Sequence, residues 1–158
     1  MKALSIILIT LIYLNSQASM AASDIAQCGS ISGWTHYHAG DVMSAARSGW
    51  QKDGISKGKT ALKKLDSGDF DILYLDATGS IYSYIQDGYK ILKIRASGSD
   101  IALVLVSPRG IIEFYNFYKE PNGKLKMDWA QNKGDTFLIA KSSMMSGECS
   151  FIEFDAAK

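Results

Sequence analysis

Cysteine, proline and histidine are each present only twice in this 158-residue chain, and each scarcity excludes something. Two cysteines far apart leave no C-x-x-C redox pair and allow a single disulfide connectivity. Two histidines and no spare thiol make a thin ligand set for zinc. An excess of charge of one sign is missing too, with 17 Lys+Arg against 16 Asp+Glu. The chain therefore lacks the clustered basic excess that a nucleic acid or an anionic membrane requires. The one basic cluster, Lys57, Lys59, Lys63 and Lys64, reads as a solvated face. Beyond the N-terminus no apolar run reaches membrane length.

What is present begins with Lys2 and the apolar stretch Ala3 to Leu14, followed by Asn15-Ser16-Gln17-Ala18-Ser19-Met20-Ala21-Ala22. A charge, a short apolar core and small residues at its end make a secretory signal peptide over residues 1–22, cleaved after Ala21 or Ala22. Cys28 follows Gln27 and lies well beyond the apolar core, so a lipid anchor is not expected. Residues 23–158 then form one soluble domain, periplasmic or secreted. Its net charge is zero once Lys2 is removed, with 16 basic residues left against 16 acidic ones. In an oxidising compartment Cys28 and Cys149 pair, closing nearly the whole domain into one loop.

From Phe70 onward, β-type runs alternate with turn signals about every ten residues, the punctuation of an antiparallel meander. The runs are 70–75, 80–85, 89–95, 101–106, 111–118, 125–130, 136–140 and 149–154. Between them stand Asp-Gly, Ser-Gly, Pro-Arg-Gly and Asn-Gly turns, whose residues tolerate positive φ or cap their own backbone. Ile101 to Val106 is apolar on both faces and marks a buried strand. Leu125, Met127 and Trp129 alternate with Lys124, Lys126 and Asp128, one face in and one face wet. Earlier, Gly40 to Gly49 predicts a short helix over residues 41–48 with Asp41 as its N-cap. Lys59 to Leu65 fits a helical turn or a strand; a hairpin with Phe70–Leu75 across Asp66-Ser67-Gly68-Asp69 is preferred. The expected fold is all-β with minor α, an up-and-down barrel of about eight strands in preference to a sandwich, its seam fastened by the disulfide.

Motifs that carry chemistry are few. His36 and His38, two apart on a strand, share a face, and Asp41 is near enough in sequence to be a third metal ligand. Asp53 to Thr60 has the wrong spacing for a phosphate-binding loop. Asp66, Asp69, Asp71 and Asp76 read as hairpin punctuation, since the EF-hand pattern is missing. Gly29 to Gly33 places its serines at the wrong offset for a nucleophile elbow. No catalytic residue and no cofactor are assigned. The aromatic group Trp34, His36, Tyr37, His38 and Trp50 is the candidate ligand-binding set. On Ile111–Tyr118 both faces carry aromatics, so one is expected to be exposed or to line a cavity.

In gross plan, an exported disulfide-bearing β-barrel, the chain is similar to the small periplasmic lysozyme inhibitors. Their Ser-Gly-x-x-Tyr loop has no counterpart, for Ser97-Gly98-Ser99-Asp100-Ile101 keeps only the Ser-Gly. The likeness is one of architecture and carries no function. The expectation is a binding protein, taking a small molecule in the barrel mouth or an envelope or extracellular protein on its loops. The alternatives are a metal-dependent or hydrolytic enzyme at His36, His38 and Asp41, an inhibitor of an envelope or extracellular enzyme, and an envelope protein with a purely structural role.

Overall fold

The computed structural model describes residues 22–76, 78–134 and 137–158. The signal peptide expected at 1–22 therefore lies, but for Ala22, outside the described residues. Ten strands carry the fold: β1 (Ser23–Tyr37), β2 (Gly49–Ile55), β3 (Lys59–Lys64), β4 (Phe70–Leu75), β5 (Ile81–Ser83), β6 (Lys90–Ala96), β7 (Asp100–Val106), β8 (Ile112–Lys119), β9 (Leu125–Lys133) and β10 (Lys141–Ile152). All pair antiparallel in one sheet, in the order β5-β4-β3-β1-β10-β9-β8-β7-β6, with β2 also on β1.

β2 and β3 share one edge of β1. Gly49 to Ile55 covers Tyr37 back to Ile31, and Thr60 to Lys64 covers Cys28 back to Ser23. Together they act as one long strand interrupted at Ser56–Gly58, where the Gly58 N–H donates back to the Ile55 carbonyl at 3.2 Å. Counted so, the sheet runs in chain order all the way round, and β10 returns to β1. This is the up-and-down barrel path, curled to a half-barrel and lacking ladder hydrogen bonds between β5 and β6. Cys28 and Cys149 lie directly opposite each other in the β1/β10 pair and are bonded, so the disulfide fastens the first strand to the last.

Several elements differ from the sequence reading. The helix expected over 41–48 shrinks to one 3-10 turn, Ala45–Arg47, with Ser44 in place of Asp41 at the N-cap position and no side-chain capping bond. Lys59–Lys64 is a strand hairpinned to β4, as preferred. The run 80–85 keeps strand pairing only at Ile81–Ser83, because the buried Asp71 carboxylate accepts from Ser83 Oγ at 2.7 Å and from the Ile85 N–H at 3.2 Å and turns the chain there. Of the run 136–140, Thr136 is outside the described residues, 137–140 are not strand, and the ladder begins at Lys141. β1 has no counterpart among the expected runs, and β10 starts well before the run 149–154, because their inward residues, such as Gly33, Thr35, Ser143 and Gly147, are small or polar. Close approach explains the glycines: a Cβ on Gly33 would stand 2.1 Å from the Met144 carbonyl oxygen.

The inward face has a direction. Cross-strand register aligns Ile31, Gly147, Met127, Phe117 and Ile101 at one end of the half-barrel, then Gly33, Met145, Trp129, Tyr115 and Leu103. Next come Thr35, Ser143, Gln131, Glu113 and Leu105, and last Tyr37, Lys141 and Lys133. Four adjacent strands thus grade from apolar to polar toward the same end. The apolar end is the core, where Ile101, Leu103, Phe117 and Met127 are wholly buried.

Candidate functional site

At the polar end the inward side chains surround a cavity of about 230 Å³, lined among others by Tyr74, Tyr84, Tyr89, Tyr115, Trp129, Glu113, Gln131, Lys133 and Lys141. Its floor is Glu113, only 2% exposed. Tyr84 OH and Trp129 Nε1 each donate to Glu113 Oε2 at 2.6 Å, while Gln131 Nε2 at 3.0 Å and Tyr89 OH at 3.4 Å donate to Oε1. Because the Tyr84 proton is committed to Glu113, the 2.8 Å contact between the Tyr84 and Tyr115 hydroxyls has Tyr115 as donor. A carboxylate offers about four acceptor positions, and all are filled by neutral donors.

The tyrosines also fill the opening that the ladder leaves. Tyr84 and Tyr89 flank the turn between β5 and β6, and their rings meet edge-on with centroids 4.7 Å apart. Tyr74 on β4 lies 5.0 Å from Tyr84 and stacks on Tyr82. Side-chain packing and the Glu113 hub thus span the β5/β6 seam where backbone bonds do not.

Burial above all, with the Glu113 charge beside it, pushes the phenols of Tyr84 and Tyr115 well above their ordinary value of 10.0. Tyr74 is pushed up to about 12 by burial and by the Asp87 and Glu113 charges. In the unfolded chain these phenols ionise near 10, so the stability from keeping them neutral is fully present below that pH and lost as pH rises toward their folded values. An ultraviolet titration followed alongside circular dichroism is expected to show Tyr84 and Tyr115 ionising only as the sheet unfolds. Ionisation of every tyrosine near pH 10 with the sheet intact would contradict this burial.

Toward the cavity's edge lie Lys133 and Lys141, directly opposite each other on β9 and β10. Burial, and then the Lys141 charge, lower the pKa of Lys133 from its ordinary value. Lys141 sits over the Tyr37 ring, 5.7 Å from its centroid. Next to it, Asp53 accepts from Thr35 Oγ1 and Tyr37 OH, each at 3.0 Å, and from the Gly54 N–H at 2.8 Å. Burial pushes Asp53 up, but these hydrogen bonds and Lys141 outweigh it and hold the carboxyl below the usual range.

The residues singled out from sequence fall mostly elsewhere. Trp34, His36 and Trp50 are on the outer face of the sheet; the His36 ring meets His38 at 5.0 Å and Trp50 at 5.2 Å. Trp34 and Trp50 are 49% and 63% exposed. Of the five candidate ligand residues, Tyr37 alone points inward, to Asp53. His38 and Asp41 line a second hollow of about 290 Å³ with Met43 and Leu138, and His36 is not part of its lining. Among the described residues no three His, Cys, Asp or Glu side chains gather as metal ligands.

Sequence reasoning missed Glu113, Gln131, Lys133 and Lys141, whereas the aromatics on both faces of β8 pointed to the cavity face that carries Tyr115. The available signal was a carboxylate in phase with the core side chains Tyr115 and Phe117. No protein-family model, curated protein or solved structure matches this chain.

Proposed function

We propose that this chain is an exported binding protein that holds a small organic ligand inside its half-barrel, between Trp129 and Tyr74. The cavity beside the Glu113 hub carries this reading. Its walls are largely aromatic, and the Glu113, Tyr84, Trp129 and Gln131 side chains that support it are locked by hydrogen bonds before any ligand arrives, a feature of preformed small-molecule sites. At about 230 Å³ it falls a little below the ~300–1,000 Å³ of pockets for drug-sized molecules. It exceeds the ~150 Å³ that suffices for benzene. A single ring with one substituent is the size that fits.

Export rests on the apolar stretch before Ala22, on β1 beginning at Ser23, and on the Cys28–Cys149 bond, which an oxidising compartment maintains. Among the described residues no helix is long and apolar enough to cross a membrane.

Diffraction from crystals soaked in p-cresol tests the cavity. The expected result is the ring bound between Trp129 and Tyr74. Binding only on the outer face at Trp34 and Trp50, or none at saturating probe, would refute the proposal. A protein partner is the second reading, supported by the outer face. There Trp34 faces Met144, which faces Ala130, then Phe114, Val104 and Leu92, an apolar row across six strands. Such a row is the kind of surface a partner covers.

A further inference from the structure

Resting on the interior site just proposed, the hydrogen-bonding inventory of the cavity goes further and selects the ligand's charge. We infer that the ligand is a small organic anion, with its acidic head on Lys133 and Lys141 and an aromatic or apolar body against Tyr74 and Trp129. The two carboxylates beside these lysines are already used: Glu113 takes four neutral donors, and Asp53 takes Thr35, Tyr37 and the Gly54 N–H. A ligand ammonium would have to displace one of these donors and leave it buried without a partner, a cost of about 1–3 kcal/mol.

The two lysines show the opposite imbalance. Among the described residues neither ammonium donates a hydrogen bond, and the ion pairs involve other lysines: Lys63 with Asp24, Lys124 and Lys126 with Glu148, and Lys158 with Asp155. Like charges placed directly opposite on adjacent strands destabilise a sheet. Holding them there partly out of water is costly unless something with acceptors sits between them. A carboxylate or similar oxyanion supplies those acceptors and relieves the repulsion, through charge-assisted bonds stronger than neutral ones.

The same feature separates function from stability. Lys133→Met removes one charge from the pair, keeps the side-chain length and is expected to leave the midpoint of urea unfolding unchanged or higher. It is also expected to weaken anion binding, a combination that a merely structural lysine would not produce.

Calorimetric titration of the mature protein with benzoate, benzyl alcohol and benzylamine, three probes of one size and different charge, tests the inference. Benzoate is expected to bind about tenfold more tightly than benzyl alcohol, with benzylamine weakest. In Lys133→Met and Lys141→Met, benzoate should fall to the level of benzyl alcohol, while benzyl alcohol is unchanged; Lys133→Arg should retain the preference. Equal binding of benzoate and benzyl alcohol, tightest binding of benzylamine, or benzoate binding indifferent to both methionine variants would overturn the assignment of charge and leave the cavity reading standing. Failure of all three probes to bind would overturn the cavity reading itself.

Discussion

Replacing both Cys28 and Cys149 with alanine is expected to lower the free energy of unfolding by about 4–5 kcal/mol. The two are 121 residues apart in sequence, so the bond closes almost the entire domain, and in the chain-entropy account the loss grows with loop length. Domains of this size have only about 5–15 kcal/mol in total. The variant should therefore be marginal and sensitive to urea well below the midpoint of the oxidised protein. Position adds to length. β1 and β10 are the first and last strands, and every barrel path through the chain closes across them. Without the bond, their pairing must hold with the small inward residues Gly33, Thr35, Ser143 and Gly147, which bury little apolar surface. Urea unfolding of the oxidised protein against the double variant measures the difference. A loss under about 1 kcal/mol would mean that the ladder alone fixes the seam.

Glu113→Leu should cost nearly as much, about 3–5 kcal/mol, although it replaces a buried charge with an apolar side chain of similar size. The penalty comes from the partners. Tyr84 OH, Trp129 Nε1 and Gln131 Nε2 would keep their buried positions and lose their acceptor. Glu113→Gln preserves shape but turns an amide toward donors, and is expected to fall between wild type and leucine. Because Tyr84 and Tyr89 bridge the β5/β6 seam, hydrogen exchange in β5 and β6 should rise before the rest of the sheet is affected. Full stability of Glu113→Leu would show that the hub holds nothing together.

Much of the architecture was legible from β3 to β9, where alternation of apolar and polar residues agrees with turn chemistry. Leu125 to Trp129 alternates as a half-buried strand does, and the Asn122-Gly123 turn before it is where the chain reverses. β1 was unreadable for a physical reason: its outward residues, Trp34 and His36, are larger and more aromatic than the inward Gly33 and Thr35. The usual contrast between faces is reversed there, and the outer face is the one that stands out in the sequence. In β10, Ser143 and Gly147 point inward and Met144 outward, with the same result. The aromatics on both faces of β8 did indicate that one face was special. Which face, and what Glu113 does, depended on register: only pairing through Gln131 and Ser143 puts a lone carboxylate beside Trp129. The polar end of the barrel is built from one residue on each of several strands, and no local spacing reveals such a set.

The three tryptophans give the most direct reading of where a ligand sits. Trp34 and Trp50 project from the outer face, whereas Trp129 is buried with its indole N–H on Glu113. In an ¹⁵N–¹H spectrum of the mature protein, the Trp129 indole should exchange slowly with solvent and the other two rapidly. Added benzoate or p-cresol is predicted to move the Trp129 indole signal and leave those of Trp34 and Trp50 in place. Movement of the Trp34 and Trp50 signals with Trp129 unchanged would contradict an interior site and return binding to the outer aromatic face.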